Sequence, residues 1–287
     1  MSGLLWPAPA KLNLFLHVTG RRADGYHTLQ TVFQFLNYGD ELRFTVRDDG
    51  VIRALHHLPD VAAEQDLTVR AARLLQENTG SSTGADIELT KRLPIAGGLG
   101  GGSSDAATTL VALNHLWKLG LSIGELAALG LRLGADVPVF VHGRAAWAEG
   151  VGERLTPVDL PEPWYLVIAP HCRVSTGEIF AAPDLTRDAK PITIRDFLAG
   201  QGGNDCEAPV SRRYPEVAEA LDWLSSHAPA RMTGTGGCVF AAFPDEPAAR
   251  RAAQQFAEQR PDSGQTLVAQ GLNLSPLHSL IHSKICR

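Results

Sequence analysis

The spacing of apolar residues predicts both strands and helices in the first half of the chain. Residues 87–93 alternate between apolar and polar side chains, as in an antiparallel strand with one exposed face. Apolar residues then recur at helical spacing over residues 106–117. Ser103 or Ser104 is expected to cap this helix, with Asp105 in its first turn.

The second half of the chain mixes the same kinds of element. A continuous apolar run at residues 164–169 predicts a buried strand. Helices are expected around residues 213–227 and 247–259, on either side of a strand at residues 238–243. Because strands and helices do not alternate strictly, the pattern predicts an α+β fold.

A proline-rich stretch is the best candidate for a domain boundary. Three prolines fall within the seven residues 157–163. The length of 287 residues and the 44% share of hydrophobic residues suit two domains with a sizeable core. We therefore expect an N-terminal domain over residues 1–157 and a C-terminal domain over residues 158–287.

Candidate chemistry is concentrated in a glycine-rich segment before the first predicted helix. Five of the six residues from Gly97 to Gly102 are glycines. Glycine lets backbone N–H groups approach a ligand closely, and a helix start adds unpaired N–H groups at its positive dipole end. The segment therefore predicts a phosphate-binding loop.

Two familiar phosphate-binding patterns fit this segment poorly. Ser103 occupies the position at which a Walker-type loop carries its lysine, so the cation must come from elsewhere in the chain. Ser103 also stands where a dinucleotide fingerprint carries its third glycine. The alternating strand before the loop likewise opposes the alternative of a nicotinamide-dependent oxidoreductase, whose fingerprint follows a buried parallel strand.

Lys11 and Asp136 are candidates for the charged side chains that the glycine-rich segment itself lacks. Lys11 and Asn13 share one face of a strand, which presents a cation and an amide side by side. Asp136 follows a helix that opens with a capping box at residues 122–125 and ends near Gly134. Its apolar neighbours make Asp136 a candidate general base on a fixed loop, and an ordinary N-cap or turn aspartate is the alternative.

Five segments, in order along the chain, resemble the GHMP small-molecule kinases. Residues 9–16, 94–107 and 233–240 are similar to the three motifs of that family. Residues 22–29 and 133–138 resemble one branch, which phosphorylates a cytidine diphosphate-linked methylerythritol. The resemblance implies a nucleotide-binding N-terminal domain and a ferredoxin-like C-terminal domain. A GHMP kinase for another alcohol, such as homoserine or mevalonate, is the nearest alternative.

The resemblance implies transfer of the γ-phosphoryl group of ATP to the 2-hydroxyl group of that acceptor. Asp136 would take the hydroxyl proton, and Lys11 would orient Asp136 and neutralise charge on the transferred group. Mg²⁺ is expected to accompany ATP; its ligands are unknown, with Ser104 as one candidate. The implied ATP-binding residues are Pro94, Ile95, Ala96, Gly97, Gly98, Leu99, Gly100, Gly101, Gly102, Ser103 and Ser104.

The cytidine end of the acceptor is expected to bind between aromatic side chains. The resemblance implies that Tyr26 and Phe180 cover opposite faces of the base and that His27 hydrogen-bonds to its edge. Thr176 and Phe180 would share one face of a short helix. Core packing is the alternative role for Phe180 and also for Phe33. The implied acceptor-binding residues are Asn13, Tyr26, His27, Phe33, Thr176 and Phe180.

One position departs from the family pattern. Asp66 stands where the family commonly carries an asparagine beside the adenine. An ionised carboxylate only accepts hydrogen bonds, so it retains part of the role of an amide. Capping of a helix that follows at residue 67 is the favoured interpretation of Asp66. The nearby pair His56 and His57 is interpreted as part of a polar loop.

Charge and cysteine content limit the remaining classes of function. The formal net charge is −5 and the pI about 6.1, which opposes an RNA-binding module and other nucleic-acid partners. Four widely spaced cysteines favour reduced thiols over a disulfide framework or a zinc site. We find no secretion signal and no membrane-length apolar run, so we expect a cytoplasmic protein without a membrane partner. A monomer and a weak dimer both remain open.

Overall fold

The computed structural model describes residues 4–59 and 61–281, which form one mixed sheet with helices packed on it. The strands are β1 (Trp6–Arg21), β2 (His27–Arg47), β3 (Ile52–Ala54), β4 (Gly84–Thr90), β5 (Ala146–Glu149), β6 (Arg154–Pro157), β7 (Trp164–Ala169), β8 (Ala230–Met232), β9 (Val239–Phe243) and β10 (Gln265–Leu272). The helices are α1 (Leu67–Thr79), α2 (Gly101–Leu116), α3 (Ile123–Leu131), α4 (Val137–His142), α5 (Thr176–Ala181), α6 (Ile194–Leu198), α7 (Glu207–Arg213), α8 (Pro215–Ser225), α9 (Glu246–Gln259) and α10 (Pro276–Leu280).

Two long strands organise the sheet. β1 and β2 pair antiparallel along nearly their whole length, and residues 22–26 connect them. β2 also pairs with β4, β5 and β10, and the main path through the sheet runs β3-β4-β2-β10-β7-β9-β8. Because β10 joins β2 to β7, strands from both halves of the chain share one sheet. The domain boundary expected at residue 157 coincides with the end of β6 and stays a prediction.

The two largest hydrophobic clusters of the described residues each pack a group of helices against the sheet. Helices α1 to α4 pack against β1, β2 and β4 through buried side chains that include Phe35, Leu110 and Phe140. Helices α8 and α9 pack against β7 and β9 around Trp223 and Phe256. Each such side chain contributes about 1.5–3 kcal/mol on burial, so the two clusters hold the helices firmly on the sheet. No helix in the described residues has both the length and the apolar character needed to cross a membrane.

Most of the predicted elements are present. β4 runs antiparallel to β2, as the alternation at residues 87–93 indicates, and β7, α8, β9 and α9 match the elements expected in the second half. The capping box of Ser122 and Glu125 is formed. Helix α3 ends at Leu131, a few residues before the expected end near Gly134. The N–H group of Leu133 donates a hydrogen bond to the carbonyl of Gly130, three residues earlier, which makes the final turn tighter than an α-helical turn. The α+β prediction is confirmed.

The start of α2 differs from the prediction. The helix begins at Gly101, and its N-cap is Gly100, which has φ +72° and no side-chain hydrogen bond. The prediction that Ser103 or Ser104 caps the helix, with Asp105 in the first turn, is therefore wrong. Glycine adopts this left-handed conformation without steric cost, so the chain turns into the helix before it reaches either serine.

Candidate active site

One cavity collects nearly all the residues that the sequence singles out. Its volume is about 900 Å³, and it is lined by parts of the β1–β2 hairpin, the loop before α2, the start of α4, helix α5 and the turn before β9. Lys11, Asp136 and every residue from Pro94 to Ser103 line it. Ser104 does not, because its side chain is 0% exposed. The implied acceptor residues that line the same cavity are Asn13, Tyr26, His27, Phe33, Thr176 and Phe180.

A shielded lysine lies beside an accessible carboxylate. Nζ of Lys11 is 3.2 Å from Oδ2 of Asp136, and the two side chains are 3% and 34% exposed. Lys11 also donates to the carbonyl of Gly98 at 3.0 Å and to Oδ1 of Asn13. The same Nζ atom lies 5.4 Å from the ring centroid of Phe33, within the range of a cation–π contact. The cation is fixed from several sides, while the carboxylate stays open to a ligand.

Asn13 is held through a threonine from the far end of the chain. Its backbone N–H group donates to Oγ1 of Thr233 at 2.9 Å, across 220 positions of sequence. Its Nδ2 atom donates to Oγ1 of Thr31, also at 2.9 Å. Thr233 is buried and begins the turn before β9. The segment at residues 233–240 therefore holds the segment at residues 9–16 in place.

The carboxylate of Asp136 does not cap the helix that follows it. Asp136 is the N-cap residue of α4, yet its side chain makes no capping hydrogen bond. A capping aspartate uses its carboxylate to satisfy N–H groups of the helix start. Asp136 therefore occupies the expected N-cap position without capping the helix through its side chain, and its carboxylate contacts Lys11 instead.

The loop before α2 follows a path that requires glycine at two points. Gly98 and Gly100 have φ angles of +77° and +72°. A Cβ atom at Gly98 would lie 2.3 Å from the carbonyl oxygen of Thr233, and one at Gly100 would lie 2.8 Å from the ring of Phe140. Both distances are shorter than a Cβ atom tolerates, so neither position accepts a side chain unless its neighbours move. The loop is thereby packed against the turn before β9 on one side and against α4 on the other.

The helix start offers unpaired donors to the cavity. The first N–H group that bonds within α2 is that of Ser104, to the carbonyl of Gly100 at 2.8 Å. Gly101, Gly102 and Ser103 precede this bond and line the cavity. Free N–H groups at the positive end of a helix dipole suit a phosphate group. The helix start thus supplies the phosphate cradle that the glycine pattern predicts.

A second lysine lies between two carboxylates next to the helix start. Nζ of Lys91 donates to Oδ2 of Asp40 at 2.6 Å and to Oδ2 of Asp105 at 2.8 Å. Burial lowers the pKa of Lys91, but the two carboxylates outweigh burial and raise it overall. Burial raises the pKa of Asp105 to about 7, against the opposing charge of Lys91. Sequence reasoning missed this cluster, because Asp40 lies 51 positions before Lys91.

Asp66 caps α1 and pairs with a buried histidine. Its Oδ1 atom accepts from the backbone N–H group of Thr68 at 2.8 Å, which confirms the expected cap. Its Oδ2 atom lies 2.7 Å from Nε2 of His56. This bond raises the pKa of His56. Burial raises the pKa of Asp66, but the bonds from His56 and Thr68 lower it overall. His56 lies in the loop after β3, as expected, but its side chain is only 8% exposed, because it packs against Asp66.

The residues expected around the base lie near one another. The rings of His27 and Phe180 stack with centroids 5.0 Å apart and an interplanar angle of 18°. Tyr26, in the connection between β1 and β2, is 65% exposed. Thr176 and Thr235 approach through their Oγ1 atoms at 2.8 Å, which ties α5 to the turn before β9. Thr176 and Phe180 both belong to α5, as their spacing predicts.

Sequence reasoning missed one further residue of this region. Arg187 donates from Nε to Nε2 of His27 at 3.2 Å, across 160 positions of sequence. It lies between α5 and α6 and belongs to none of the five segments that resemble the family. No local pattern marks an arginine of this kind, because its partner His27 lies in a distant part of the sequence, on β2.

Comparisons with known proteins agree with this geometry. The family model described as the GHMP kinases N terminal domain matches residues 66–144, and the one described as GHMP kinases C terminal matches residues 190–262. A crystal structure of 4-(cytidine 5'-diphospho)-2C-methyl-D-erythritol kinase superposes with a TM-score of 0.80 at 34% identity, over 93% of this chain and 99% of that one. A homoserine kinase from Cytophaga hutchinsonii shares the fold, with a TM-score of 0.67 at 19% identity over 94% of each chain.

Curated relatives are similar over nearly their whole length. The 4-diphosphocytidyl-2-C-methyl-D-erythritol kinase of Nitrosococcus oceani is 59% identical over 283 residues, which cover 99% of this chain and all of the relative. The kinase of the same name from Alkalilimnicola ehrlichii is 63% identical over 272 residues, which cover 95% of this chain and 92% of the relative. This chain therefore belongs to the 4-diphosphocytidyl-2-C-methyl-D-erythritol kinase family of the GHMP kinases.

Proposed function

We propose that this kinase transfers the γ-phosphoryl group of ATP to the 2-hydroxyl group of 4-diphosphocytidyl-2-C-methyl-D-erythritol, in the non-mevalonate route to isoprenoid precursors. The observation that carries the proposal is the pair of Lys11 and Asp136, 3.2 Å apart in the cavity that the glycine loop also lines. The relatives that are 59% and 63% identical bear the name of this reaction and support the choice of acceptor.

The triphosphate of ATP binds at the start of α2. N–H groups of Gly101, Gly102 and Ser103 donate to phosphate oxygens, and the helix dipole favours their negative charge. Because Gly98 and Gly100 are packed against neighbouring backbone and ring atoms, the donors are fixed before ATP arrives. A rigid set of donors loses little free energy to reorganisation during phosphoryl transfer.

Asp136 acts as the general base. Its accessible carboxylate accepts the proton of the 2-hydroxyl group while that oxygen attacks the γ-phosphorus and ADP departs. Lys11 holds the carboxylate in place and offsets the negative charge that gathers on the transferred group. Asn13 and Gly98 in turn hold Lys11, so the two charged groups stay aligned without the substrate.

Mg²⁺ accompanies ATP in this proposal. No group of three or more His, Cys, Asp or Glu residues in the described parts of the chain is arranged to hold a metal ion. A Mg²⁺ ion that accompanies ATP usually keeps several waters and is held by the phosphates with one or two carboxylates, so its binding does not require such a group. The bound ion would neutralise phosphate charge. Ser104 is a weak candidate ligand, because its side chain is buried away from the cavity.

The aromatic end of the cavity takes the cytidine group. His27 and Phe180 offer a stacked pair of rings, and Tyr26 stands exposed nearby in the hairpin connection. We also propose a cytoplasmic location, supported by the free thiols of Cys172, Cys206 and Cys238.

Release of ADP from Mg-ATP with a panel of acceptors tests the proposal. The panel contains 4-diphosphocytidyl-2-C-methyl-D-erythritol, methylerythritol 4-phosphate, homoserine, mevalonate and galactose. We expect turnover only with the cytidylated alcohol. Turnover with another acceptor would contradict the cytidine assignment, and absence of ADP release with every acceptor would contradict the proposed activity itself.

A further inference from the structure

A single guanidinium group connects the two rings that are expected to recognise the base. Nε of Arg187 donates to Nε2 of His27 at 3.2 Å. Nη2 of Arg187 donates to the carbonyl groups of Phe180 at 2.9 Å and Ala182 at 2.7 Å, and Nη1 donates to that of Leu185 at 3.1 Å. Arg187 thus satisfies carbonyl groups at the end of α5 and holds His27 with the same planar group.

The bond from Arg187 decides where the ring proton of His27 lies. A guanidinium group only donates hydrogen bonds, so Nε2 of His27 must present its lone pair. Burial and the positive charges of Arg187 and Arg21 lower the pKa of His27, so the ring is neutral at pH 7. A neutral imidazole carries one N–H group, which must then be at Nδ1.

This tautomer gives the cavity a hydrogen-bond donor of fixed position. His27 is buried, lines the cavity and stacks on Phe180. In residues 4–59 and 61–281, Nδ1 of His27 makes no hydrogen bond to the protein. Cytosine offers two neighbouring acceptors, N3 and O2, to such a donor. Uracil carries a hydrogen at N3, which opposes the same donor.

We propose that Arg187 is a positioning residue that holds His27 in the Nδ1–H tautomer and thereby makes the cavity select a cytidine diphosphate-linked alcohol over its uridine counterpart. The identity of the acceptor rests on the proposed function. The assignment of the tautomer does not depend on the acceptor; it rests on the contact between Arg187 and His27 and on the neutral state of the ring.

The test compares Arg187→Met with Arg212→Met. Arg212 also holds the segment between α5 and α6, through a 2.6 Å contact with Asp184, but it does not contact His27. Each protein is assayed with the cytidine and uridine diphosphate-linked alcohols, and ¹⁵N NMR reports the tautomer of His27 in the free enzyme. In Arg187→Met we expect a mixture of tautomers and a roughly tenfold loss of cytidine preference in kcat/KM, the scale of one hydrogen bond. KM for ATP should stay unchanged, and Arg212→Met should behave like the wild type.

Because Arg187 also satisfies three carbonyl groups, Arg187→Gln serves as a second variant. A glutamine amide either donates or accepts, so it no longer dictates the tautomer while it retains polar contacts. A wild-type spectrum with the proton on Nε2 would overturn the proposal. An equal loss of affinity for both acceptors would also overturn it, because a purely structural role predicts that result.

Failure of the proposed function has a different signature. In that case the wild-type enzyme turns over neither nucleotide-linked alcohol, and the selectivity claim falls with it. If only the inference about Arg187 is wrong, the wild type still turns over the cytidylated alcohol, and Arg187→Met keeps the same preference for it.

Discussion

The ion pair between Lys11 and Asp136 joins two groups of opposite accessibility, with Nζ 3.2 Å from Oδ2. The lysine is enclosed by Gly98, Asn13 and Phe33, whereas the carboxylate faces the cavity. An open base with a shielded cation behind it suits proton removal next to a negatively charged phosphoryl group. Substitution of either residue should therefore impair the catalytic role of both.

Substitutions at this pair should show that Lys11 and Asp136 act as one unit. We expect Asp136→Asn and Lys11→Ala each to lower kcat by at least about 10²-fold, the scale for loss of one well-aimed catalytic group. The double variant should be little slower than the slower single variant, because the second change removes an interaction already lost. Steady-state kinetics with saturating ATP provide the measurement. Independent, multiplicative losses in the double variant would contradict a shared role.

Gly100, the N-cap residue of α2, should be required for catalysis as well as for stability. Gly100 and Gly120 have φ angles of +72° and +73°, so alanine strains the backbone equally at both, by about 1–2 kcal/mol. A Cβ atom at Gly120 meets no atom within 4 Å, whereas one at Gly100 lies 2.8 Å from the Phe140 ring and 3.1 Å from Cε of Lys11.

We therefore expect Gly120→Ala to lower the free energy of unfolding with kcat unchanged. Gly100→Ala should lower both, since its methyl group displaces Lys11 and the phosphate loop. Urea denaturation and steady-state kinetics on the two variants test this. If the two substitutions changed kcat equally, the contact between residue 100 and Lys11 would have no role in catalysis.

Sequence patterns found the parts of the site that are local in the chain. Strand alternation places Lys11 beside Asn13, and a dense run of glycines before a helix identifies the phosphate loop. The supports of the site escaped notice, because each pairs residues far apart in sequence. Thr233 reaches Asn13 across 220 positions, and Arg187 reaches His27 across 160. Contacts of that kind arise from the packing of the sheet and leave no period or spacing to detect.

The buried carboxyl group of Asp105 should make stability depend on pH. Burial raises its pKa to about 7 in the folded protein from an ordinary value of 3.8. The folded state then binds this proton more tightly than the unfolded chain does, so its contribution to stability falls as pH rises from about 4 to 7. Asp105→Asn removes this proton equilibrium and leaves Lys91 paired with Asp40.

Urea denaturation at pH 5 and pH 8 measures the effect. We expect the wild type to lose more stability between these pH values than Asp105→Asn does. Asp159→Asn is the matched control, since the side chain of Asp159 is 84% exposed, and it should retain the wild-type dependence. Identical pH dependence in all three proteins would contradict the raised pKa of Asp105.

The pair of His56 and Asp66 should stabilise the start of α1 within a defined pH window. Loss of a hydrogen bond to a charged group costs about 1.5–3 kcal/mol, so His56→Ala should be destabilised by that amount at pH 6. The raised pKa of His56 means that its contribution is present in full below 6.5 and is lost as pH rises through the raised value. The lowered pKa of Asp66 means that its contribution is present above 3.8 and is lost as pH falls through the lowered value.

The matched control for this pair is His57→Ala, which changes the exposed neighbour. Its free energy of unfolding should stay within about 0.5 kcal/mol of the wild type, as for most surface changes. The deficit of His56→Ala, measured by urea denaturation, should shrink from pH 6 to pH 9. A deficit that is equal at both pH values would show that packing, and not the charged pair, is responsible.

Proton-coupled ³¹P NMR of the reaction product tests the central claim most directly. The carbon that bears the 2-hydroxyl group also bears the methyl group and carries no hydrogen, so a phosphate attached there has no three-bond coupling to a proton. After incubation of 4-diphosphocytidyl-2-C-methyl-D-erythritol with Mg-ATP, we predict one new phosphomonoester singlet and intact diphosphate signals, with no new signal from Asp136→Asn on the same timescale. A new signal split into a triplet or a doublet would place the phosphoryl group on the 1- or 3-hydroxyl group and contradict this account.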